Sequence, residues 1–261
     1  MSGVYYFISD VHLGMAHYEH PREQEDAVLD FLGKAGKDAA EIFIVGDLFD
    51  SWIEYRQVVQ KGHYRVLAKI YELVKSGVLI TYLSGNHDFW RGSYFKDEFG
   101  IDIRHVPLER EIEGKRFYLH HGDGLAYNDT GYKILKKILR SSVSQFLYSL
   151  IHPDIGVWLA KRTSSKSRDY TTQKDYSPND GLKDYAVKKI SGGMDFVIMG
   201  HQHKPVMEYC RSGTFGGYYI NLGNWIRDFS YGIFKNGKFS LRKFYDLKNN
   251  KVVEELISES K

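Results

Sequence analysis

Apolar and polar positions alternate between two periods through the first third of the chain. A strand-like run at residues 4–9 is followed by a loop through Gly14 and Pro21, then by a helical segment at 23–34 with Ala27, Val28, Phe31 and Leu32 on one face. A second run ends at Asp47. The polar and aromatic loop 51–62 leads into a helix at 64–75 with Val66, Leu67, Ile70 and Leu73 at helical spacing, and Gly77 past its end reads as a cap. A third run ends at Gly85. The order β, α, β, α, β predicts a parallel sheet covered by helices.

After Gly85 the pattern changes. Residues 108–113 and 115–120, joined at Gly114, predict an antiparallel hairpin. Residues 129–159 read as helical, with Tyr132, Leu135, Ile138, Leu139, Phe146, Leu147 and Leu150 on an apolar face and Lys133, Lys136, Lys137 and Arg140 between them. Residues 161–180, rich in Ser, Thr, Lys and Asp, read as a polar loop, and a helix at 181–190 precedes a strand ending at Gly200. Strands at 218–222, 231–234 and 238–245 follow, with Asn236-Gly237 as the last hairpin turn, and the charged tail after Asn249 is expected to fray. The expectation is one domain over residues 1–261, with a helical cap inserted at about 125–190.

Composition narrows the function classes. A formal charge of +3 gives no electrostatic reason to expect a nucleic-acid partner. A single cysteine, Cys210, excludes an internal disulfide and is expected to be inert packing. The chain enters its first strand with no basic-then-apolar leader, and no apolar run approaches the roughly 20 residues of a membrane span. A protein acting in the cytoplasm, or on its membrane surface, is expected.

The chemistry sits where the strands stop. Five strand-like runs end at a glycine or tight polar turn and present Asp10 and His12, Asp47, Asn86-His87-Asp88, His121 and Asp123, and His201 and His203. Asp10 and His12 point to one side if the chain stays extended, as do His201 and His203. Carboxylate, imidazole and amide donors together suit Mn, Fe, Co or Zn better than calcium. Asp47, ending a central strand, is the natural bridge between two cations. Paired cations about 3.5–4 Å apart suit in-line displacement at phosphorus, which points to phosphoester or phosphoanhydride hydrolysis. Any one of these motifs alone is more often a turn aspartate or a packed histidine; five behind five strands are not explained that way.

Asp10-x-His12, Gly46-Asp47, Gly85-Asn86-His87-Asp88, His121-Gly-Asp123 and Gly200-His201-x-His203, in this order, resemble the signature of the calcineurin-like metallophosphoesterases. The resemblance implies a four-layer α/β/β/α sandwich. It also implies one metal on Asp10, His12, Asp47 and His203, and a second on Asp47, Asn86, His121 and His201. His87 would assist at the phosphate or leaving group, with Asp47 beside it in catalysis, while Asp88 and Asp123 orient imidazoles or loops. His120, facing away from His121 on a strand, is left to packing. His17, His20, His63, His105 and His152 lie outside the motifs, although His17 and His20 are close enough to the first pair to line the site.

Gly46-Asp-Leu-Phe-Asp-Ser-Trp-Ile53, Gly85-Asn-His-Asp-Phe89, His121-Gly-Asp-Gly-Leu125 with Asp129-x-Gly131-Tyr132, Gly200-His-Gln-His-Lys-Pro205 and Leu222-Gly-x-Trp225 look most like the branch of that family that hydrolyses the pyrophosphate of a diacylated UDP-glucosamine in lipid A synthesis. The resemblance then implies a lipid-linked nucleotide substrate and contact with the cytoplasmic face of the inner membrane. Manganese is the usual metal, with Fe, Co, Zn or Mg as alternatives. Asn86, His87 and His201 would meet the substrate, with Asp129, Ser165, Lys166, Arg162 and Lys174 as cap candidates. The branch commonly has Arg after the metal-binding Asn, whereas this chain has His87, as in the general phosphoesterases. A soluble phosphatase for nucleotides or phosphoproteins is therefore the alternative. A non-catalytic scaffold of the same fold would show degraded ligands, and none of the seven is degraded.

Overall fold

Alternation within the strands sorts the side chains into layers. The computed structural model describes residues 3–15, 18–125, 136–173 and 181–260, with residues 166–173 described as backbone alone. In β1 (Val4–Ile8) and β2 (Ala39–Val45), Tyr6, Ile8, Ile42 and Ile44 face one way, toward Val28, Phe31 and Leu32 of α1 (Pro21–Ala35) and Val66, Leu67 and Ile70 of α2 (Tyr64–Lys75). Phe7, Phe43 and Val45 face the other way, into a second core. Because consecutive strand side chains alternate, one apolar run serves both layers.

The first sheet adds β3 (Leu79–Leu83), β9 (Ser230–Lys235), β10 (Lys238–Asp246) and β11 (Lys251–Glu259), in the order β11-β10-β9-β1-β2-β3. β1, β2 and β3 are parallel, as their order with the helices predicts. The second sheet holds β4 (Leu108–Ile112), β5 (Lys115–Leu119), β6 (Phe196–Met199), β7 (Pro205–Ser212) and β8 (Phe215–Leu222), in the order β4-β5-β6-β8-β7. Phe117, Phe196, Ile198 and Ile220 of this sheet meet Phe7 and Phe43 of the first. On its outer face Tyr118, Val197, Met199 and Tyr219 pack on Leu182, Ala186 and Ile190. Those three belong to the helix Gly181–Ser191, which completes an α/β/β/α sandwich.

Further helices are α3 (Tyr94–Phe99), α4 (Ser142–Ser149) and α5 (Pro153–Gln173), with residues 136–139 also helical; the Gly181–Ser191 helix is α6. The segment 129–159, read as helical from its pattern, is described from residue 136 and is interrupted before Pro153, whose ring disfavours helix at the residue preceding it. Residues 161–173, read as loop, continue α5 instead. Their hydroxyls return to the helix's own carbonyls, Thr163 Oγ1 to Leu159 O at 3.0 Å and Ser165 Oγ to Lys161 O at 3.1 Å, so polar composition does not break the turn. The tail does not fray: β11 pairs with β10, and Ser260 exchanges hydrogen bonds with the Phe239 backbone. β7 and α3 were not read from the sequence. Among the described residues no helix is long and apolar enough to cross a membrane.

Candidate metal centre

β1, β2 and β3 of one sheet and β5 and β6 of the other deliver their next residues to a common edge. Five of these residues, Asp10, His12, Asp47, His201 and His203, have φ between 53° and 71°, in the left-handed region. Such backbone costs on the order of 1 kcal/mol or more per residue and persists where the surroundings enforce it. Two motif glycines provide the room. A Cβ on Gly85 would strike the Asp47 carboxylate, and one on Gly200 would strike Ser9 Oγ and the Asp10 carboxylate.

Each buried carboxylate is anchored by one oxygen and presents the other. Asp10 Oδ2 accepts from Ser9 Oγ at 2.7 Å and from the His201 amide at 2.9 Å. Its Oδ1 has no hydrogen-bond partner and lies 3.2 Å from His203 Nε2 and 3.8 Å from His12 Nε2. Asp47 Oδ1 accepts from the His87 amide at 2.8 Å, and its Oδ2 lies 3.2 Å from His121 Nε2 and 3.8 Å from His12 Nε2. Asn86 Oδ1 sits 3.0 Å from His121 Nε2 and 2.9 Å from His201 Nδ1. His12 and His203 bring their Nε2 atoms within 3.1 Å.

These separations fit cations. Donors about 2.0–2.2 Å from one ion stand about 3–3.6 Å apart, which is the spacing seen here. Asp10, His12 and His203 form one compact donor set, and Asp10, Asp47 and His121 another. Asp47 Oδ2 faces the imidazoles of both halves, as a bridge must. His121 Nδ1 lies 2.9 Å from Val45 O, and a carbonyl can only accept. Nδ1 therefore carries the proton, and Nε2 is turned to the cluster as a ligand nitrogen. The orphaned Oδ1 of Asp10 is a buried acceptor facing this cluster, where a cation or a proton would answer it.

The electrostatics agree. Burial opposes ionisation of Asp47, yet His121 and His87 outweigh it and hold its carboxyl well below the usual range; Asp10 behaves alike, through His121. His121 is opposed by burial but driven by Asp47 and Asp10, and reaches about 10. Burial pushes His201 down to about 3, helped by His121, and pushes His87 to about 3 against Asp47. A cluster that keeps two buried carboxylates ionised and draws a proton onto one imidazole lacks positive charge, which is what divalent ions supply.

The seven expected ligands therefore meet in one place. Asp88 ties two tip loops together, accepting from the Leu48 and Gly85 amides and from Tyr82 Oη. Asp123 is clamped by Lys136 at 2.7 Å and Arg140 at 3.0 Å, and Arg140 also donates to Gly85 O, so the start of the helical segment is bonded to the metal-binding loops. His120 is turned away, accepting from the Gly122 amide.

The cap candidates fare differently. Asp129, Lys174 and the Lys166 side chain, together with His17, lie outside the described residues. Arg162 is exposed and lies over the Trp158 ring. Ser165 bonds back to its own helix, and its neighbour Ser164 is the hydroxyl brought to His87. Nothing in the run Thr163-Ser164-Ser165 distinguishes the inward residue without the helix phase. Asp50 was also missed: its carbonyl accepts from Ser164 Oγ, and its carboxylate lies 3.6 Å from His12 Nδ1. Its place three residues after Asp47 was the only available signal.

Comparison with known proteins agrees with this geometry. Residues 4–205 match the model of the family described as calcineurin-like phosphoesterase. A Porphyromonas gingivalis protein named UDP-2,3-diacylglucosamine hydrolase is 32% identical over 260 residues, covering 93% of this chain and 98% of its own. A Pseudomonas fluorescens protein of the same name is 28% identical over 228 residues, covering 84% of this chain and 87% of its own. Among solved structures, Vacuolar Protein Sorting 29 from Cryptosporidium parvum has a similar fold, with a TM-score of 0.50 at 12% identity, covering 99% of this chain and 98% of its own.

Proposed function

The chain belongs to the calcineurin-like phosphoesterases, a family of metal-dependent hydrolases, and from that premise we propose that it cleaves the pyrophosphate of UDP-2,3-diacylglucosamine to UMP and 2,3-diacylglucosamine 1-phosphate. The fold implies a dinuclear divalent site. Asp10, His12, Asp47 and His203 would hold one ion and Asp47, Asn86, His121 and His201 the other, with manganese as the proposed metal. Bound there, the pair supplies Lewis acidity to water and to the phosphoryl oxygens. Asp47 keeps the two halves together through one oxygen while the His87 amide fixes the other. His87 is carried on the same loop as Asn86, with its ring edge-on to His12 at 4.8 Å, which supports the reading that it meets the phosphoryl group.

One observation carries the substrate. α4 and α5 dock beside this floor, through the Arg91 amide to Gln145 and Trp90 against Tyr148, yet leave Val143, Phe146, Leu147, Leu150, Ile155 and Trp158 exposed. Lys137, Lys161 and Arg162 are exposed on the same segment. An apolar face edged with cations suits acyl chains and an anionic membrane surface. We read this segment as a cap, acting at the cytoplasmic face of the inner membrane, with Asp129, Arg162, Ser165, Lys166 and Lys174 as its candidates for the sugar and diphosphate.

The specific observation favouring a second reading is His87 itself, where the lipid branch commonly has Arg. A soluble phosphodiester or nucleotide would need no apolar cap. Purified protein with manganese, assayed on UDP-2,3-diacylglucosamine and on bis-p-nitrophenyl phosphate, separates the two. Turnover of the lipid nucleotide is expected, and turnover of the small ester alone would sink the lipid assignment.

A further inference from the structure

We infer that Ser164, on α5, is a positioning residue for His87, holding its ring in one tautomer with Nδ1–H turned inward and Nε2 toward the metal centre. The inference rests on the reading that His87 meets the phosphoryl group. His87 Nδ1 lies 2.9 Å from Asp50 O and 2.8 Å from Ser164 Oγ, and Ser164 Oγ lies 2.7 Å from Asp50 O. The Asp50 carbonyl can only accept, so both neighbours must donate to it. Ser164 uses its one hydroxyl hydrogen there, and its oxygen lone pair faces Nδ1. A bare Nδ1 would oppose its lone pair to that of the carbonyl. Nδ1 therefore carries the hydrogen, and Nε2 is the ring nitrogen left to face substrate.

The junction is buried: His87 is 9% exposed, Ser164 6% and Asp50 1%. Water cannot readily replace a bond lost there, so with the hydroxyl removed Nδ1–H keeps only the Asp50 carbonyl and the ring is held less firmly. Ser164 belongs to the cap, whereas His87 and Asp50 follow β3 and β2. The aromatic seating of the cap lies elsewhere on α5, where Tyr55 Oη fills the space a side chain at Gly156 would need. Deleting the Ser164 hydroxyl thus removes its contacts with Asp50 O and His87 Nδ1 and leaves that seating in place. The cap then contributes to the reaction as well as to substrate binding.

The test uses the full chain loaded with manganese and bis-p-nitrophenyl phosphate, a substrate with no acyl chain to engage the cap. Ser164→Ala is expected to lower kcat by about 10- to 100-fold, the scale of a misplaced reacting group. KM and manganese content should be unchanged, and Ser164→Thr should restore most of kcat. Placed on His87→Ala, Ser164→Ala should add nothing. An unaltered kcat in Ser164→Ala, or an equal loss on the His87→Ala background, overturns the inference. A second readout needs no turnover: long-range proton–nitrogen spectra of the diamagnetic zinc-loaded protein. His87 should appear as the Nδ1–H tautomer, and Ser164→Ala should shift and broaden its ring signals as the ring loosens. An Nε2–H ring in the unaltered protein overturns the inference at any activity. If the tautomer is found but neither the ester nor the lipid nucleotide is hydrolysed, the hydrolase reading falls and the positioning role stands.

Discussion

The floor and the cap of this molecule are built on opposite principles. On the floor, Asp10, His12, Asp47 and His121 are nearly inaccessible, two of the five strained residues, Asp47 and His201, directly follow a motif glycine, and each carboxylate has one oxygen tied to protein. In the cap, Phe146 is 63% exposed and Leu150 68%, and the helices touch the floor at a few polar and aromatic points. Donors for a small cation must be held in place, and only dense packing holds them. A surface for flexible acyl chains gains its burial when the partner arrives, so its side chains stay in water until then.

Breaking the floor should abolish everything. Asp47→Ala removes the oxygen that faces both halves, and metal analysis should fall from two ions per chain to below one, with activity on both substrates lost to the detection limit. His87→Ala should keep two metals while kcat falls by about 10²- to 10⁴-fold on both substrates, the range for a lost proton-handling group. Steady-state kinetics with metal content measured on the same sample checks both.

The seam between the regions should show in pH dependence. His63, packed on Phe49 and Trp52, is pushed down to about 4 by burial, with Lys161 of the cap adding to the effect. The unfolded chain takes up this proton near the ordinary histidine value and the folded chain does not. Stability is therefore full above about pH 6.5 and falls as the pH drops toward 4, by on the order of 3 kcal/mol from this group. Urea titrations from pH 7 to pH 4 should show a shallower loss in His63→Leu; an identical slope would remove His63 as the cause.

The smallest effect should come from the cap, and it sharpens the contrast most. Phe146→Ser with Trp158→Ser removes apolar side chains that touch no ligand. KM for the lipid nucleotide should rise by roughly tenfold, from part of the ~1.5–3 kcal/mol each such side chain gains on burial. Hydrolysis of bis-p-nitrophenyl phosphate should not change, and sedimentation with anionic vesicles should weaken. A parallel loss on the small ester would erase the distinction between the regions.

The floor was legible in advance because its signals are local. Strand runs ending at Asp47, Asn86, His121 and His201 place ligands by periodicity and by glycine position, and the pairing of the parallel strands follows from their order. The cap was not legible in the same way. Its apolar pattern left open whether that face packs on the sandwich or stays free; α4 and α5 leave Phe146, Leu147 and Leu150 exposed, and a polar run read as loop is helical to Gln173. The edge strand β11 was likewise invisible until β10 offered it a partner.

By itself the chain determined which residues gather at the floor, because the ligand types, their spacing and the strands behind them are properties of short segments. Tertiary structure alone decided how those residues are served. Which oxygen of Asp10 is left open, which hydroxyl of the 163–165 run reaches His87, and which cations hold Asp123 are relations between segments far apart in sequence. Such relations depend on helix phase and on the approach of one layer to another, and neither is written in any local pattern.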